Sequence, residues 1–217
     1  MEVKLVAHTQ GVGELKDLTV GEILAYVARV SNPGNQMNHE TAPRLLNYCL
    51  RNGHWSVFEH CFFTFEITTS LAIAAQILRH RSAVFQQFSL RYAEAVDFET
   101  YPARRQDDKN RQNSVDDMSP ADKVWFHQAQ LEVQYLCMRR YQEALSLGIA
   151  KEQARFLLPT STRTTMYMTG NVRTWLTYLK ARTYEGAQLE HRLIAYDIKS
   201  QFLQECPELE NVSFWDV

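Results

Sequence analysis

The sequence predicts a helix-rich α+β fold in a single domain, 1–217. The chain has 217 residues, which suits one domain large enough to bury a core without a metal or disulfide. Glycine and proline number only 8 and 6, so tight turns are few and helices should dominate. One strongly alternating stretch lies among several segments of helical periodicity. Together these features indicate mostly helices with a smaller sheet.

The N-terminal region predicts a weak strand and two helices. Residues 3–7 alternate weakly between apolar and polar positions, as a strand does. The capping box Thr19–Glu22 opens a helix, and the turn residues at 31–34 end it. A second helix carries apolar residues from Leu45 to Leu50, with Gly53 as its C-terminal cap.

The clearest strand follows these helices. Phe63, Phe65 and Ile67 alternate with polar residues, which is typical of a half-buried strand. Ser70 then caps a helix, and residues 84–92 predict another strand.

The second half of the chain predicts a long loop and further helices. Residues 97–123 are crowded with charge and indicate a loop, and the longest helix starts at Pro120 and closes at Gly148. A short helical segment ends at Pro159, and Asn171 caps another helix. The last helix carries its apolar residues between Leu189 and Phe202. The predicted apolar stripe of the longest helix is Phe126, Ala129, Val133, Leu136, Tyr141 and Ala144.

Composition excludes several classes of protein. A net charge of −2 argues against a protein that coats nucleic acid or an anionic membrane. The longest charge-free apolar stretch, 67–78, is too short to span a bilayer, and the N-terminus lacks a signal-peptide core. We therefore expect no membrane partner and a location in the cytoplasm, or in the host cytoplasm if a virus encodes the chain. Buried free thiols are the expected state of Cys49, Cys61, Cys137 and Cys206.

The densest polar cluster lies between Gln76 and Arg91. It contains Arg79, Arg81 and Arg91 among amides and hydroxyls, and no acid interrupts it. Fixed cations in this setting suit an anion such as a phosphate. The alternative is that these cations complement a helix C-terminus in solvent. Interleaved aromatic residues indicate a half-buried surface, which favours a binding site: Phe85, Phe88 and Tyr92.

Two further polar groups are weaker signals. His54, Ser56, Glu59 and His60 precede the clear strand. Of this segment, His54, Glu59, His60 and Cys61 allow a zinc site, but their spacing matches no closed ligand set. Hydrogen bonding to backbone or ligand is the favoured role of these histidines, and no metal is expected. A third group consists of Arg155, Arg163, Arg173 and Arg182, of which Arg173 opposes the dipole of its own helix.

These motifs resemble those of one known family. Arg79-His-Arg81, seven residues, then Ser89-x-Arg91 resembles the signature of flavin-dependent thymidylate synthases. The similarity extends over nearly the whole chain in order and spacing: His54-x-Ser56-x-Phe58-Glu-His60, Arg105-Gln106, Lys109-Asn-Arg-Gln-Asn-Ser114, Glu152-x-Ala-Arg155-x-x-x-Pro159, Asn171-x-Arg173 and Arg182. No Rossmann, P-loop, zinc-protease or nucleophile-elbow motif competes with it.

The resemblance implies a fold, a reaction and an assembly. The fold is an α+β domain with an antiparallel sheet, of the thymidylate synthase-complementing protein type. The reaction is methylation of dUMP to dTMP, with methylenetetrahydrofolate as carbon donor and FAD, recharged by NADPH, as hydride source. The assembly is a homotetramer whose active sites are shared between subunits.

The resemblance also implies site residues. The residues that it implies bind dUMP are Gln76, Arg79, Gln87, Ser89, Leu90, Arg91, Arg155 and Arg182. The residues that it implies bind FAD are His54, Ser56, Arg79, His80, Arg81, Gln87, Asn171, Arg173 and Thr177. The catalytic candidates are Arg182, Ser89, Arg91 and His54, and Arg182 is the group expected to stabilise negative charge on the uracil ring. Ser89 is expected to position the substrate, with a nucleophilic role as the alternative.

Two other functions remain open from the residues alone. Arg79, Arg81 and Arg91 with interleaved aromatics suit a binder of single-stranded nucleic acid, although the negative net charge opposes this. The segment from His54 to His60 suits a metal-dependent nucleotide hydrolase, although no carboxylate cluster for Mg²⁺ accompanies it. A cysteine nucleophile is disfavoured because no cysteine lies within the arginine clusters.

Overall fold

A computed structural model describes residues 1–94 and 97–216 of the chain. Those residues form a four-stranded antiparallel sheet, a small two-stranded hairpin and seven α-helices. The strands are β1 (Glu2–His8), β2 (Phe62–Ser70), β3 (Val84–Gln87), β4 (Arg105–Gln106), β5 (Ser114–Val115) and β6 (Arg163–Asn171). The helices are α1 (Val20–Ala28), α2 (Ala42–Arg51), α3 (Leu71–Ile77), α4 (Pro120–Ser146), α5 (Lys151–Ala154), α6 (Val172–Arg182) and α7 (Leu189–Glu205). The predicted α+β class with an antiparallel sheet is confirmed.

The sheet is built around a strand that the sequence analysis did not predict. The strand order is β1-β2-β6-β3, and β6 pairs with β2 from Phe62 opposite Asn171 to Ser70 opposite Arg163. Within β6, Met166 and Met168 face the core and alternate with polar residues and Tyr167. This alternation with a period of two is a strand signal in the sequence. It is weak here because methionine is flexible and is not a typical strand residue.

Strand β3 is shorter than the predicted strand 84–92. The Phe88 amide still donates to the Thr165 carbonyl at 2.9 Å, so pairing with β6 continues one residue past β3. The chain then turns, since the amides of Tyr92 and Ala93 both donate to the Ser89 carbonyl at 3.1 Å. The segment from Ser89 to Arg91 therefore lies in a turn at the end of the sheet rather than in a strand.

The main core lies between one face of the sheet and the helices. Phe63, Phe65 and Ile67 on β2 are fully buried, as their alternation predicts. The Trp175 indole on α6 donates to the carbonyls of Phe63 at 3.2 Å and Gly170 at 3.0 Å, which ties this helix to both central strands. Helix side chains complete the core: Leu24, Leu46, Ile73, Leu176, Ile198 and Phe202.

Local signals set several helix ends as predicted. The Thr19 hydroxyl accepts from the Glu22 amide at 3.1 Å, and the Glu22 carboxylate accepts from the Thr19 amide at 3.0 Å, which completes the capping box. The Asn171 side chain accepts from the Thr174 amide at 2.9 Å and caps α6. Gly53 and Gly148 follow α2 and α4 with φ values of 71° and 81°, a conformation that favours glycine.

Helix α4 is much more exposed than its predicted apolar stripe requires. Tyr141 and Ala144 are buried in a second, smaller core, but Val133 is 52% exposed and Leu136 is 49% exposed. Trp125 is 69% exposed on the same helix. The stripe was therefore wrong for the middle of α4, because this single chain provides only a small core for a long helix to pack against.

Three further expectations concern the burial of the cysteines, the loop at 97–123 and membrane-spanning helices. Cys49, Cys61 and Cys206 are free and buried as predicted, whereas Cys137 is only partly buried. The loop predicted at 97–123 contains the β4–β5 hairpin, and α4 begins inside its last residues. In the part of the chain that the structure describes, no helix has both the length and the hydrophobicity of a membrane-spanning segment.

Candidate active site

The end of α3 lies against α6 and the start of α7, and we call this group of polar side chains the α3–α6–α7 cluster. The Gln76 amide nitrogen donates to Gln188 Oε1 at 2.5 Å. Gln76 Oε1 lies 3.4 Å from His191 Nδ1, and His191 Nε2 lies 3.0 Å from the Tyr178 hydroxyl. The His80 ring packs edge-on against Tyr178, with 5.3 Å between ring centroids. Helix α6 and the start of α7, both distant from α3 in sequence, thus contact Gln76 and His80.

Arg182, at the C-terminal end of α6, supplies the positive charge of this cluster. Burial lowers the pKa of His191 to about 4, and the Arg182 and His80 charges act in the same direction. Burial also lowers the pKa of His80, opposed by a hydrogen bond from the His80 ring to the Thr174 backbone and assisted by the charge of Arg182. Both histidines are therefore neutral at neutral pH, and Arg182 stands beside uncharged imidazoles rather than beside a carboxylate.

Three arginines of the predicted site have no protein partner. Among residues 1–94 and 97–216, the side chains of Arg79, Arg81 and Arg182 make no hydrogen bond or ion pair. Arg79 and Arg81 are exposed on the segment after α3, and Arg182 is partly buried. Unpaired guanidinium groups of this kind are suited to phosphate or carboxylate groups of a ligand.

A second group, the turn cluster, lies at the N-terminus of α6. The 3₁₀ turn Trp55–Glu59 contacts α6, where the Arg173 guanidinium is 2.5 Å from the Glu59 carboxylate and 5.5 Å from the Trp55 ring centre. Glu59 thus accounts for the arginine placed against the helix dipole. His54 and Ser56 are exposed beside this turn, and the His54 ring meets Tyr48 edge-on at 5.8 Å.

Thr177 lies between the two ends of α6 and is exposed. Its hydroxyl donates to the backbone carbonyls of Thr174 at 2.9 Å and Arg173 at 3.1 Å. The hydroxyl of Thr177 therefore has hydrogen-bond acceptors within its own helix, and its exposed oxygen can also accept a hydrogen bond from a ligand.

A third group, the β3–α5 cluster, surrounds the turn at the end of the sheet. Arg91 Nε is 3.3 Å from a Glu152 carboxylate oxygen, and Arg155 Nε donates to the Glu152 carbonyl at 3.1 Å. Leu90 packs in the small core with Ala154. Gln87, at the end of β3, donates to the Thr164 hydroxyl at 3.2 Å.

The structure offers no activated nucleophile among the described residues. The Ser89 hydroxyl accepts only a long contact, 3.4 Å, from the Arg91 amide, and no basic side chain in the described ranges is hydrogen-bonded to it. Burial raises the pKa of the Cys61 thiol to about 12 and also raises the pKa values of Cys49 and Cys206. These thiols stay protonated at neutral pH, which opposes cysteine nucleophilic catalysis.

The predicted site residues thus fall into three clusters rather than one pocket. The predicted dUMP residues divide between the α3–α6–α7 cluster and the β3–α5 cluster, and the predicted FAD residues lie mainly in the α3–α6–α7 and turn clusters. Within the described residues, no side-chain hydrogen bond, ion pair or ring contact joins the α3–α6–α7 cluster to the β3–α5 cluster. Arg163 belongs to none of them, because it pairs with Asp97 at 3.0 Å and Glu2 at 2.9 Å.

Sequence reasoning missed the polar partners of Gln76. Gln188, Glu190 and His191 stand at the start of α7, and Glu190 forms a buried ion pair with Arg104 at 2.6 Å. The available signal was a run of polar residues opening an apolar-periodic helix just after Arg182. His54, Glu59, His60 and Cys61 do not form a metal site, since the described residues contain no cluster of three or more side chains that could hold a metal ion.

Comparisons with known proteins identify the family of this chain. The model of the family described as "Thymidylate synthase complementing protein" matches residues 14–208. The "Probable flavin-dependent thymidylate synthase" of Paramecium bursaria Chlorella virus 1 is 48% identical to this chain, covering 99% of the chain and 100% of the relative. The "Flavin-dependent thymidylate synthase" of Synechocystis sp. is 46% identical over the same shares of both proteins.

The fold also has a match among solved structures. The UMP/dUMP methylase PolB of Streptomyces cacaoi, solved with 5-Br dUMP, superposes with a TM-score of 0.84 at 24% identity, covering 98% of this chain and 94% of that one. This likeness shows that the two chains share a fold. The sequence matches extend over almost the whole chain, and on that basis it belongs to the thymidylate synthase complementing protein family of flavin-dependent thymidylate synthases.

Proposed function

We propose that this chain is a flavin-dependent thymidylate synthase, a methyltransferase that converts dUMP to dTMP without a cysteine nucleophile. The observation that carries the proposal is the set of unpaired arginines, Arg79, Arg81 and Arg182, beside two neutral histidines at the meeting of α3, α6 and α7. Family membership supports dUMP as the substrate of this set, because relatives that are 48% and 46% identical to the chain carry the name of that activity.

The residues present fit a flavin dinucleotide in their chemistry. Arg79 and Arg81 are exposed cations without protein partners in the described ranges, and a pyrophosphate would neutralise them. His54, Ser56 and the N-terminus of α6 lie near one another and offer polar groups to the same ligand. Arg173 keeps its remaining N–H groups free while it pairs with Glu59. When bound, reduced FAD supplies the hydride of the reaction, and we propose NADPH as the reductant that restores it.

Arg182 is the proposed catalytic residue. Its guanidinium is permanently charged, and the neutral state of His80 and His191 leaves this charge uncompensated. Negative charge that develops on the uracil ring during transfer of the one-carbon unit from methylenetetrahydrofolate would be stabilised by such a cation.

The β3–α5 cluster is the proposed phosphate end of the dUMP site. Arg91 contacts the Glu152 carboxylate and Arg155 donates to the Glu152 backbone carbonyl, so both arginines have a contact with the same residue of α5. Ser89 and the backbone of the following turn add hydrogen-bonding groups, and Gln87 lies next to them on β3. In this proposal Ser89 positions the substrate, since the described residues offer no base to activate it, and His54 faces the flavin.

The division of the dUMP residues supports a site shared between subunits of a homotetramer. One chain does not join Gln76 and Arg182 to Arg91 and Arg155 through any described side-chain contact, so two chains are proposed to complete the site. Exposed apolar residues on α4, including Trp125 at 69% and Tyr135 at 71%, provide surface for such an assembly. A cytoplasmic location, in a cell or in an infected host, completes the proposal, because the similar proteins include cyanobacterial and viral enzymes.

A reconstituted reaction tests the proposed activity. Purified protein is incubated without oxygen with FAD, NADPH, dUMP and methylenetetrahydrofolate, and dTMP is measured by chromatography while each component is omitted in turn. We expect dTMP only in the complete mixture. Formation of dTMP without flavin, or none in the complete mixture, would contradict the proposal.

Mixing inactive variants tests the shared site. Arg182→Ala and Arg91→Ala subunits are co-expressed with different tags, and mixed assemblies are purified through both tags. If the two arginines of one site come from different chains, mixed assemblies contain some sites with both arginines and regain activity. Activity no higher than that of the parent variants would place both arginines of a site on one chain.

A further inference from the structure

A continuous chain of hydrogen bonds links the loop before β4 to Gln76. Arg104 Nη2 donates to Glu190 Oε1 at 2.6 Å, and Gln188 Nε2 donates to Glu190 Oε2 at 2.9 Å. Gln188 Oε1 then accepts from Gln76 Nε2 at 2.5 Å. The same chain continues from Gln76 Oε1 to His191 and from His191 to Tyr178.

The direction of the bonds in this chain follows from the Arg104–Glu190 ion pair. A guanidinium can only donate, and the carboxylate with which it is paired can only accept, through both of its oxygens. Gln188 must therefore turn its amide nitrogen toward Glu190, which leaves its oxygen to accept from Gln76. Gln76 in turn has its nitrogen toward α7.

The far end of the chain agrees with this direction. With its nitrogen engaged by Gln188, Gln76 presents its oxygen to His191 Nδ1, which must carry the proton. His191 Nε2 is then an acceptor, and the buried Tyr178 hydroxyl is its donor. Neutral His191 has one N–H and one acceptor nitrogen, which is what these two neighbours require.

Burial makes the arrangement costly to reverse. The Arg104 and Glu190 side chains are only 11% and 4% exposed, and Arg104 Nε is also held by the Ser114 hydroxyl at 2.8 Å. A flipped Gln76 carboxamide would set its oxygen against Gln188 Oε1 and its amide hydrogens against the protonated nitrogen of His191. Both hydrogen bonds would then be lost. The Gln76–Gln188 bond is exposed, so the cost of reversal comes from the buried end of the chain, at Arg104 and Glu190.

We propose that Arg104 is a positioning residue for dUMP binding, acting through Glu190 and Gln188 to fix the orientation of the Gln76 carboxamide. The second N–H of Gln76 is then always offered to an acceptor on the nucleotide, without the cost of choosing between two orientations. This inference rests on the proposed assignment of Gln76 to the dUMP site. It gives the charged loop at 97–123 a role in substrate binding that requires no contact between loop and nucleotide.

The test is a double-mutant cycle on dUMP affinity. Arg104→Met and Glu190→Gln are made together, because removing one partner alone would leave a buried charge unpaired. The Kd for dUMP is measured by calorimetry on the FAD-loaded protein, with and without Gln76→Ala. We expect the paired change to raise Kd about fivefold, the value of one typical hydrogen bond, and to raise KM for dUMP while kcat is nearly kept. In the Gln76→Ala background the same change should have almost no effect.

Gln188→Met and Arg105→Met supply a second variant and a control. Gln188→Met interrupts the chain while leaving the buried ion pair in place, so it repeats the cycle if the paired change fails to fold. Its effect on Kd should also vanish in the Gln76→Ala background. Arg105 pairs with the exposed Asp117 at 2.8 Å and has no contact with Gln188 or Glu190, so Arg105→Met should leave Kd unchanged.

The outcomes separate this inference from the proposed function. If the loss of affinity persists undiminished in the Gln76→Ala background, or if neither chain variant alters Kd, Arg104 does not act through Gln76 and the inference is overturned. If Gln76→Ala itself binds dUMP normally while dTMP is still formed, the assignment of Gln76 and the inference fail together but the enzyme activity stands. Absence of dTMP formation from the wild-type protein would instead contradict the proposed function.

Discussion

Two sets of arginines in this chain look alike in sequence and differ in their surroundings. Arg79, Arg81 and Arg182 have no hydrogen-bonding or ionic side-chain partner among the described residues, whereas Arg104 and Arg163 are each held by carboxylates. An arginine without a protein partner keeps its charge for a ligand, but Arg91 and Arg173, which are also predicted site residues, pair with Glu152 and Glu59. The difference teaches that a cluster of arginines in the sequence does not reveal which guanidinium groups the fold leaves without an acid.

The largest effect is expected from removing the catalytic member of the unpaired set. Arg182→Ala should keep the flavin but lower the rate of dTMP formation by about 100- to 1,000-fold, because the cation beside the neutral histidines is lost. Flavin absorbance and single-turnover dTMP formation check this. Wild-type turnover in the variant would show that Arg182 does not stabilise the transition state.

A smaller effect is expected at Ser89, which lies in the turn after β3. Ser89→Ala removes a positioning hydrogen bond and should lower kcat/KM about fivefold to tenfold, with activity clearly retained. Steady-state kinetics with varied dUMP measure this effect. Complete loss of activity with dUMP and FAD still bound would support a nucleophilic role instead.

Arg163 should affect stability rather than turnover. Arg163→Gln removes the ion pairs with Asp97 and Glu2 and should lower the free energy of unfolding by at most about 1 kcal/mol, since these acids are exposed. Turnover should be unchanged. A loss of turnover with normal stability would place Arg163 in the active site and erase the distinction between the two sets.

The loss of stability in Arg163→Gln should depend on pH. The hydrogen bond from Arg163 lowers the pKa of Asp97 in the folded protein below its ordinary value of 3.8. The contribution of this pair is therefore present above the ordinary pKa and is lost as pH falls through the lowered one. The free energy of unfolding is measured with denaturant from pH 7 to pH 2. The difference between wild type and Arg163→Gln should become smaller below about pH 4. A difference that grows on acidification would contradict the Arg163–Asp97 pairing.

The smallest effect is expected from the thiols. Replacing Cys49, Cys61, Cys137 and Cys206 together by alanine should leave turnover unchanged at temperatures where the variant is folded, because burial keeps the three buried thiols protonated. Initial rates of dTMP formation at matched concentrations of folded protein check this. Loss of turnover on replacing one particular cysteine would instead support nucleophilic catalysis by that cysteine.

Features set by neighbouring residues were predictable from the sequence, and features set by distant ones were not. The Thr19 capping box and the Asn171 cap depend on residues three apart, and both are confirmed. Strand β6 was not predicted, because its inward-facing methionines are not typical strand residues. It nevertheless pairs with both β2 and β3 in the sheet. The motif residues of the site were predictable by resemblance, and their roles stay predictions.

The partners of the arginines show the same limit. Arg173 meets Glu59 across 114 positions of the chain, and Arg163 meets Asp97 across 66. Composition and spacing do not encode such pairings, since they arise only when the sheet and helices assemble. Sequence reasoning therefore grouped Arg163 with Arg182, and the structure separates them.

The most direct test of the flavoenzyme assignment is a visible absorbance spectrum of the purified protein, taken before and after anaerobic addition of NADPH, with and without dUMP. We predict oxidised flavin bands that bleach with NADPH, and a bleaching rate that changes when dUMP is present, because the proposed FAD and dUMP sites have Arg79 in common. A protein that carries no flavin and does not bind added FAD would contradict the assignment at its cofactor.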